Sequence, residues 1–152
     1  MFGDGYDFVK GGKLPGLCGG KCNTGGKKPT GDGWSARYMW RAQGRVVVYL
    51  YHLDQPGDYG EDLPLNAAFL PGRWHLLRQH LRMNTPGKKD GVLQVWVDGV
   101  LVLDRSDIRY RGVASTHIDR IYFSTFFGGQ EPDWAPAKAQ QSDFSDFRVL
   151  AP

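Results

Sequence analysis

Residues 33–52 hold two consecutive runs in which side-chain character alternates with a period of two, a pattern that fits paired β-strands and little else. In "GWSARYMWR" Trp34, Ala36, Tyr38 and Trp40 share one parity, and Ser35, Arg37, Met39 and Arg41 share the other. In "RVVVYLYHL" Val46, Val48 and Leu50 alternate with Val47, Tyr49 and Tyr51. Successive side chains of an extended strand point to opposite faces, so each run offers one apolar face for a core. The connection "AQG" is short enough to fold the two runs into a hairpin, which places Ser35, Arg37, Arg41, Tyr49 and Tyr51 on the second face. That face is either a solvated outer surface or the floor of a groove, and the pattern alone fits both.

Further strands are predicted at "YDFVKGGKL", "RWHLLRQHLRMN", "VLQVWVDGVLVLD", "IDRIYFSTFF" and "DFSDFRVL". The loops "NTGGKKPTGDG", "DQPGDYGEDLP" and "NTPGKKDG" separate them, and Asp98-Gly99 between two alternating apolar runs predicts a type I′ hairpin. No long stretch repeats apolar residues at helical spacing, and 21 glycines with nine prolines in 152 residues favour short strands joined by turns. These features predict an all-β fold in one domain over residues 1–152: two packed antiparallel sheets, a sandwich or jelly roll with one concave face. The stretch "GGQEPDWAPAKAQQ" reads as a long surface loop, and there is no internal repeat or linker. In the fourth strand Arg78, His80, Arg82 and Asn84 alternate opposite Leu77, Leu81 and Met83, so His80 joins the groove candidates by parity.

The formal net charge of +3 is spread along the chain without a basic tract, which argues against nucleic acid and leaves a polyanionic substrate open. No segment reaches the apolar length of a membrane span, and "MFGDGYDFVK" lacks the charged start and apolar stretch of an export signal. Cys18 and Cys22 in the glycine-rich "LCGGKC" are read either as a small-loop disulfide or as two free thiols. No further ligand lies near them in sequence, so no zinc or other metal is assigned.

"GGKLPGL" at residues 11–17, "SARYMWR" at 35–41 and "YLYH" at 49–52 together resemble the polysaccharide lyase family 14 alginate lyases. The stretches "GRWHLLRQHLRMNTPG", "DGVLQVWVDGV" and "IDRIYFSTFFGG" resemble the rest of that domain in the same order. The resemblance implies a concanavalin-like β-jelly roll with a substrate cleft on its concave sheet. It also implies cleavage of uronate polymers by β-elimination without a cofactor. Carried over residue by residue, it makes Lys13, Arg37, Tyr49 and Tyr51 catalytic and Ser35 substrate-binding, with His80 added by parity. Domains of that family are longer, and the lysine-bearing strand here begins almost at residue 1. A compact variant or a shortened chain is implied, with N-terminal strands absent and a free sheet edge open to weak dimerisation.

The chemistry accounts for these residue types. Removing the C5 proton of a uronate builds a second negative charge beside an ionised carboxylate. Cations or strong donors placed against that carboxylate stabilise the charge as it develops. Arg37 offers a planar two-point fit and Lys13 a mobile point charge. The phenols of Tyr49 and Tyr51 are expected to have their pKa lowered from about 10 by Lys13 and Arg37, so that one takes the C5 proton and the same or the other protonates O4. Lys13 is the alternative base if Arg37 depresses its pKa.

The expected partner is an acidic polysaccharide such as alginate, polymannuronate or glucuronan, with no nucleic acid and no membrane. The expected setting is extracellular, for a monomer or weak dimer whose export signal has been removed. A non-catalytic carbohydrate-binding jelly roll is the rival reading. Hydrolysis by paired carboxylates fits less well, because the only glutamates, Glu61 and Glu131, fall in expected loops.

Overall fold

The two alternating runs form adjacent antiparallel strands, and the remaining strands assemble on either side of them. In a computed structural model that describes residues 1–150, nine strands follow in order. They are β1 (Gly11–Gly20), β2 (Gly33–Arg41), β3 (Arg45–Tyr51), β4 (Glu61–Ala68), β5 (Leu77–Arg82), β6 (Gly91–Val97), β7 (Val100–Ile108), β8 (Arg120–Tyr122) and β9 (Phe126–Phe127). One sheet runs β4-β3-β2-β1-β8, with β9 also paired to β1; the other is β5-β6-β7. The β2–β3 connection is a single 3-10 turn at Ala42–Gly44, and the β6–β7 connection is Asp98-Gly99. Both residues of that second turn have positive φ, 51° and 84°, as a type I′ hairpin requires.

The core lies between the sheets. Trp34, Ala36, Tyr38, Trp40, Val46, Val48, Leu50, Leu63 and Leu65 from the large sheet meet Leu81, Leu93, Val95, Val97 and Ile108 from the small one. Burying an indole removes its N–H from water, and each tryptophan finds an acceptor: Trp34 Nε1 donates to the His117 carbonyl and Trp40 Nε1 to that of Phe8, both at 3.1 Å. Truncating either to alanine removes about 3–5 kcal/mol.

The structure departs from the alternation at four places. The first strand begins at Gly11 rather than Tyr6; Tyr6 and Phe8 are core residues on irregular backbone, with Val9 at φ 46°. An unforeseen strand, β4, occupies the acidic stretch read as loop. Its Pro64 has no N–H to donate and its Asn66 is left-handed at φ 49°, both tolerable because β4 is the edge of the large sheet. "IDRIYFSTFF" splits into β8 and β9, which pair separately with β1. The stretch "DFSDFRVL" is no strand: Phe144 and Phe147 instead pack on Phe123, with Phe123 and Phe144 centroids 5.2 Å apart, and Asp146 turns left-handed at φ 55°.

One irregularity positions the site. In β1, Lys13 pairs with Met39 and Gly16 with Arg37, so β1 uses one residue more than β2 between these pairs. This bulge keeps Lys13 on the face of Arg37. Gly16 is required there, because a Cβ would lie 2.1 Å from the Ala36 carbonyl oxygen.

Candidate active site

The outer face of the large sheet carries three cross-strand rows. Tyr122, Gly16, Arg37, Tyr49 and Asp62 form one; Phe126, Lys13, Met39 and Val47 form the second; Arg120, Cys18, Ser35 and Tyr51 form the third. Paired residues on neighbouring strands share a face, so the register brings Lys13, Arg37, Tyr49, Tyr51 and Ser35 together. The Lys13 ammonium sits 4.0 Å from the Tyr49 ring centroid and 2.9 Å from Met39 Sδ. The Tyr49 and Tyr51 rings meet edge to face at 5.4 Å. Arg37 lies 4.9 Å from the Tyr122 ring centroid.

Arg37 is only 3% exposed, its Nε has no hydrogen-bond partner, and no carboxylate pairs with it among the described residues. Neighbouring Arg41 differs: its Nε and Nη2 donate to the two Asp62 oxygens at 2.8 and 2.5 Å. A buried cation without a counter-charge is costly, and its guanidinium is shaped to take a carboxylate at two points.

Burial lowers the Lys13 pKa to about 7, with the Arg37 and Arg41 charges adding to the effect and Asp62 opposing it. Tyr49 moves the other way. Burial first, and the Tyr51 hydroxyl second, push its pKa up, against the Gly60 N–H and Arg41. The expectation that nearby cations lower this phenol is therefore corrected, because loss of hydration outweighs their pull.

Two loops seal one end of this face. The Gly26 N–H donates to the Tyr51 hydroxyl at 3.0 Å, and the Gly60 N–H donates to that of Tyr49 at 3.1 Å. Tyr51 is 0% exposed as a result, not cleft-lining as its parity suggested. Ser35 is likewise buried, and its hydroxyl donates to the Asn23 carbonyl at 2.7 Å, fastening the loop instead of facing a ligand. The Cys18–Cys22 disulfide, one of the two states left open by sequence, anchors that loop at its root. The second loop is tied by buried Gln55, whose Oε1 accepts from the His52 N–H at 3.1 Å and whose Nε2 faces the carbonyls of Gly57, Asp58 and Tyr59 at 2.8–3.1 Å.

His80 does not belong to the cluster. It projects from the outer face of the small sheet, exposed, with Nδ1 3.0 Å from Gln94 Oε1. Parity gave its face correctly, but that face is the far side of the other sheet. Met39, Tyr122, Asp62 and Phe126 belong to the rows and were not singled out by sequence. For Met39 the signal was its shared parity with Arg37, whereas the others depend on long-range register.

The model of the family described as Polysaccharide lyase 14 matches residues 1–147. Among solved structures, alginate lyase Aly36B is 34% identical with a TM-score of 0.77, over 88% of this chain and 59% of its own. A variant of Aly36B with one lysine and one tyrosine replaced by alanine, in complex with alginate tetrasaccharide, is 32% identical with a TM-score of 0.78, over 88% and 59%. The marine PL-14 alginate lyase from Aplysia kurodai is 31% identical with a TM-score of 0.75, over 89% and 60%. This chain therefore spans about 60% of the length of these structures. No curated protein sequence matches it.

Proposed function

Because the chain belongs to polysaccharide lyase family 14, we propose that it cleaves alginate or a related polyuronate within the chain by β-elimination. The observation that carries this reading is Arg37, a buried guanidinium with no acidic partner among the described residues, beside a lysine whose amine is half neutral near pH 7. The jelly-roll relatives support it, as does the alginate held by the Aly36B variant that lacks a lysine and a tyrosine, the residue types that meet here at Lys13 and Tyr49.

In this mechanism Arg37 binds the uronate carboxylate and stabilises the charge that grows on it. The neutral Lys13 amine takes the C5 proton, and the electrons of the C5–H bond form the C4–C5 double bond as the C4–O4 bond breaks. Tyr49, kept protonated by burial, gives its proton to O4. Two neighbouring groups whose surroundings move their pKa values in opposite directions divide naturally into base and acid. Tyr51 and Ser35 hold the loop through Asn23 and Gly26, and the Gly60 loop holds the Tyr49 hydroxyl. A polymer substrate and a disulfide both suit an extracellular setting.

Incubation with alginate, polymannuronate, polyguluronate and glucuronan tests the reading. Ultraviolet absorbance from the new conjugated double bond rises with at least one of them. Binding without that rise identifies a carbohydrate-binding module, and new reducing ends without it identify a hydrolase.

The pH dependence follows from Lys13. The reactive amine is unprotonated, so kcat/KM, which reports the free enzyme, increases about tenfold per unit below pH ~7 and levels off above it. A profile that falls as pH rises from 6 to 8 rules Lys13 out as the base.

A further inference from the structure

Phe126 is the one member of the three rows that presents a large apolar side chain to solvent, at 51% exposure, while its neighbour Phe127 turns inward against Trp40. Its cross-strand partner is Lys13. Buried Gly128 lies between the two: a Cβ there would sit 3.7 Å from both the Phe126 ring and the Lys13 Nζ, so the glycine leaves the space between ring and amine unfilled. Tyr122, half-buried, continues the same rim above Arg37. The opposite end of the face is sealed over Tyr51 and Ser35, so a chain entering the site has to lie across the Phe126 side.

We propose that Phe126, with Tyr122 beside it, is a stacking platform for the sugar next to the one whose carboxylate Arg37 holds, and that it sets affinity for the polymer. This rests on the reading of the site as a polyuronate lyase. The occupant follows from chemistry on both sides. A uronate residue has a carboxylate at its edge and C–H groups on its ring face, and this rim offers an aromatic ring next to the Arg37 guanidinium and the Lys13 amine, neither of which is paired with a carboxylate among the described residues. Phe126 is a substrate-contacting residue that takes no part in the bonds that change.

The test compares wild type, Phe126→Ala and Phe126→Trp in steady-state turnover of alginate, and measures alginate tetrasaccharide binding by calorimetry in Lys13→Ala with and without Phe126→Ala. The platform predicts a KM higher by about fivefold to tenfold in Phe126→Ala with kcat kept within about twofold, restoration by Phe126→Trp, and a matching loss of tetrasaccharide affinity. Because the ring is half exposed, the melting temperature stays close to wild type. Unchanged KM and unchanged tetrasaccharide affinity in an active enzyme overturn the platform and leave the lyase reading standing. A wild type that forms no unsaturated product overturns the lyase reading, and the binding arm then decides the platform by itself.

Discussion

Lys13→Ala loses about three orders of magnitude or more in kcat, with the melting temperature within a few degrees of wild type. General-base assistance is worth about 10²–10⁴-fold, and the Lys13 amine rests on Met39 and Tyr49 at the outer face, away from the core between the sheets. Lys13→Arg separates charge from proton transfer. A guanidinium keeps the positive charge over the Tyr49 ring but does not release its proton near neutrality, so this variant is as inactive as the alanine one. Initial rates from ultraviolet absorbance check both. Activity in Lys13→Arg above about a tenth of wild type would return the base to one of the tyrosines.

Arg37→Met gives an inactive protein that is more stable than the wild type. Its kcat/KM falls by about 10²–10³-fold, the usual cost of removing one group that stabilises developing charge. Stability moves the opposite way. Desolvating a cation costs several kcal/mol, whereas the stacking of Arg37 on Tyr122 returns about 2 kcal/mol at most, so the penalty wins in the absence of ligand. A methionine of similar length removes it and gains about 1–4 kcal/mol. At about 2–4 °C per kcal/mol for a chain of this size, the rise is visible in calorimetry. Loss of both activity and stability would mean that Arg37 has a structural role and that its unpaired nitrogen is incidental.

The hairpin of β2 and β3 was legible because each side chain declares its face by parity, and a three-residue connection leaves one way to pair the strands. That pairing alone brought Arg37 and Tyr49 side by side. β4 was hidden because Pro64 and an acidic run are turn signals in most contexts, and only the edge position makes them compatible with a strand. Parity also failed to say which sheet owns a face, which is why His80 fell on the far side of the molecule. It was silent about what covers a face: the closure over Tyr51 depends on Gly26, distant in sequence, and the fixing of Ser35 depends on Asn23. The sign of the Tyr49 shift was missed for the same reason, since nearby cations are visible in a strand pattern and the depth of burial is not.

The rim formed by β4 has a bearing on behaviour in concentrated solution. An unpaired strand edge is a template onto which another molecule can crystallise its own backbone, the first step towards amyloid-type growth. Along this rim such a newcomer meets a proline that offers it no proton, a left-handed asparagine that bends the backbone out of register, and the carboxylates of Glu61 and Asp62. These act as gatekeepers and disfavour sheet extension from that side.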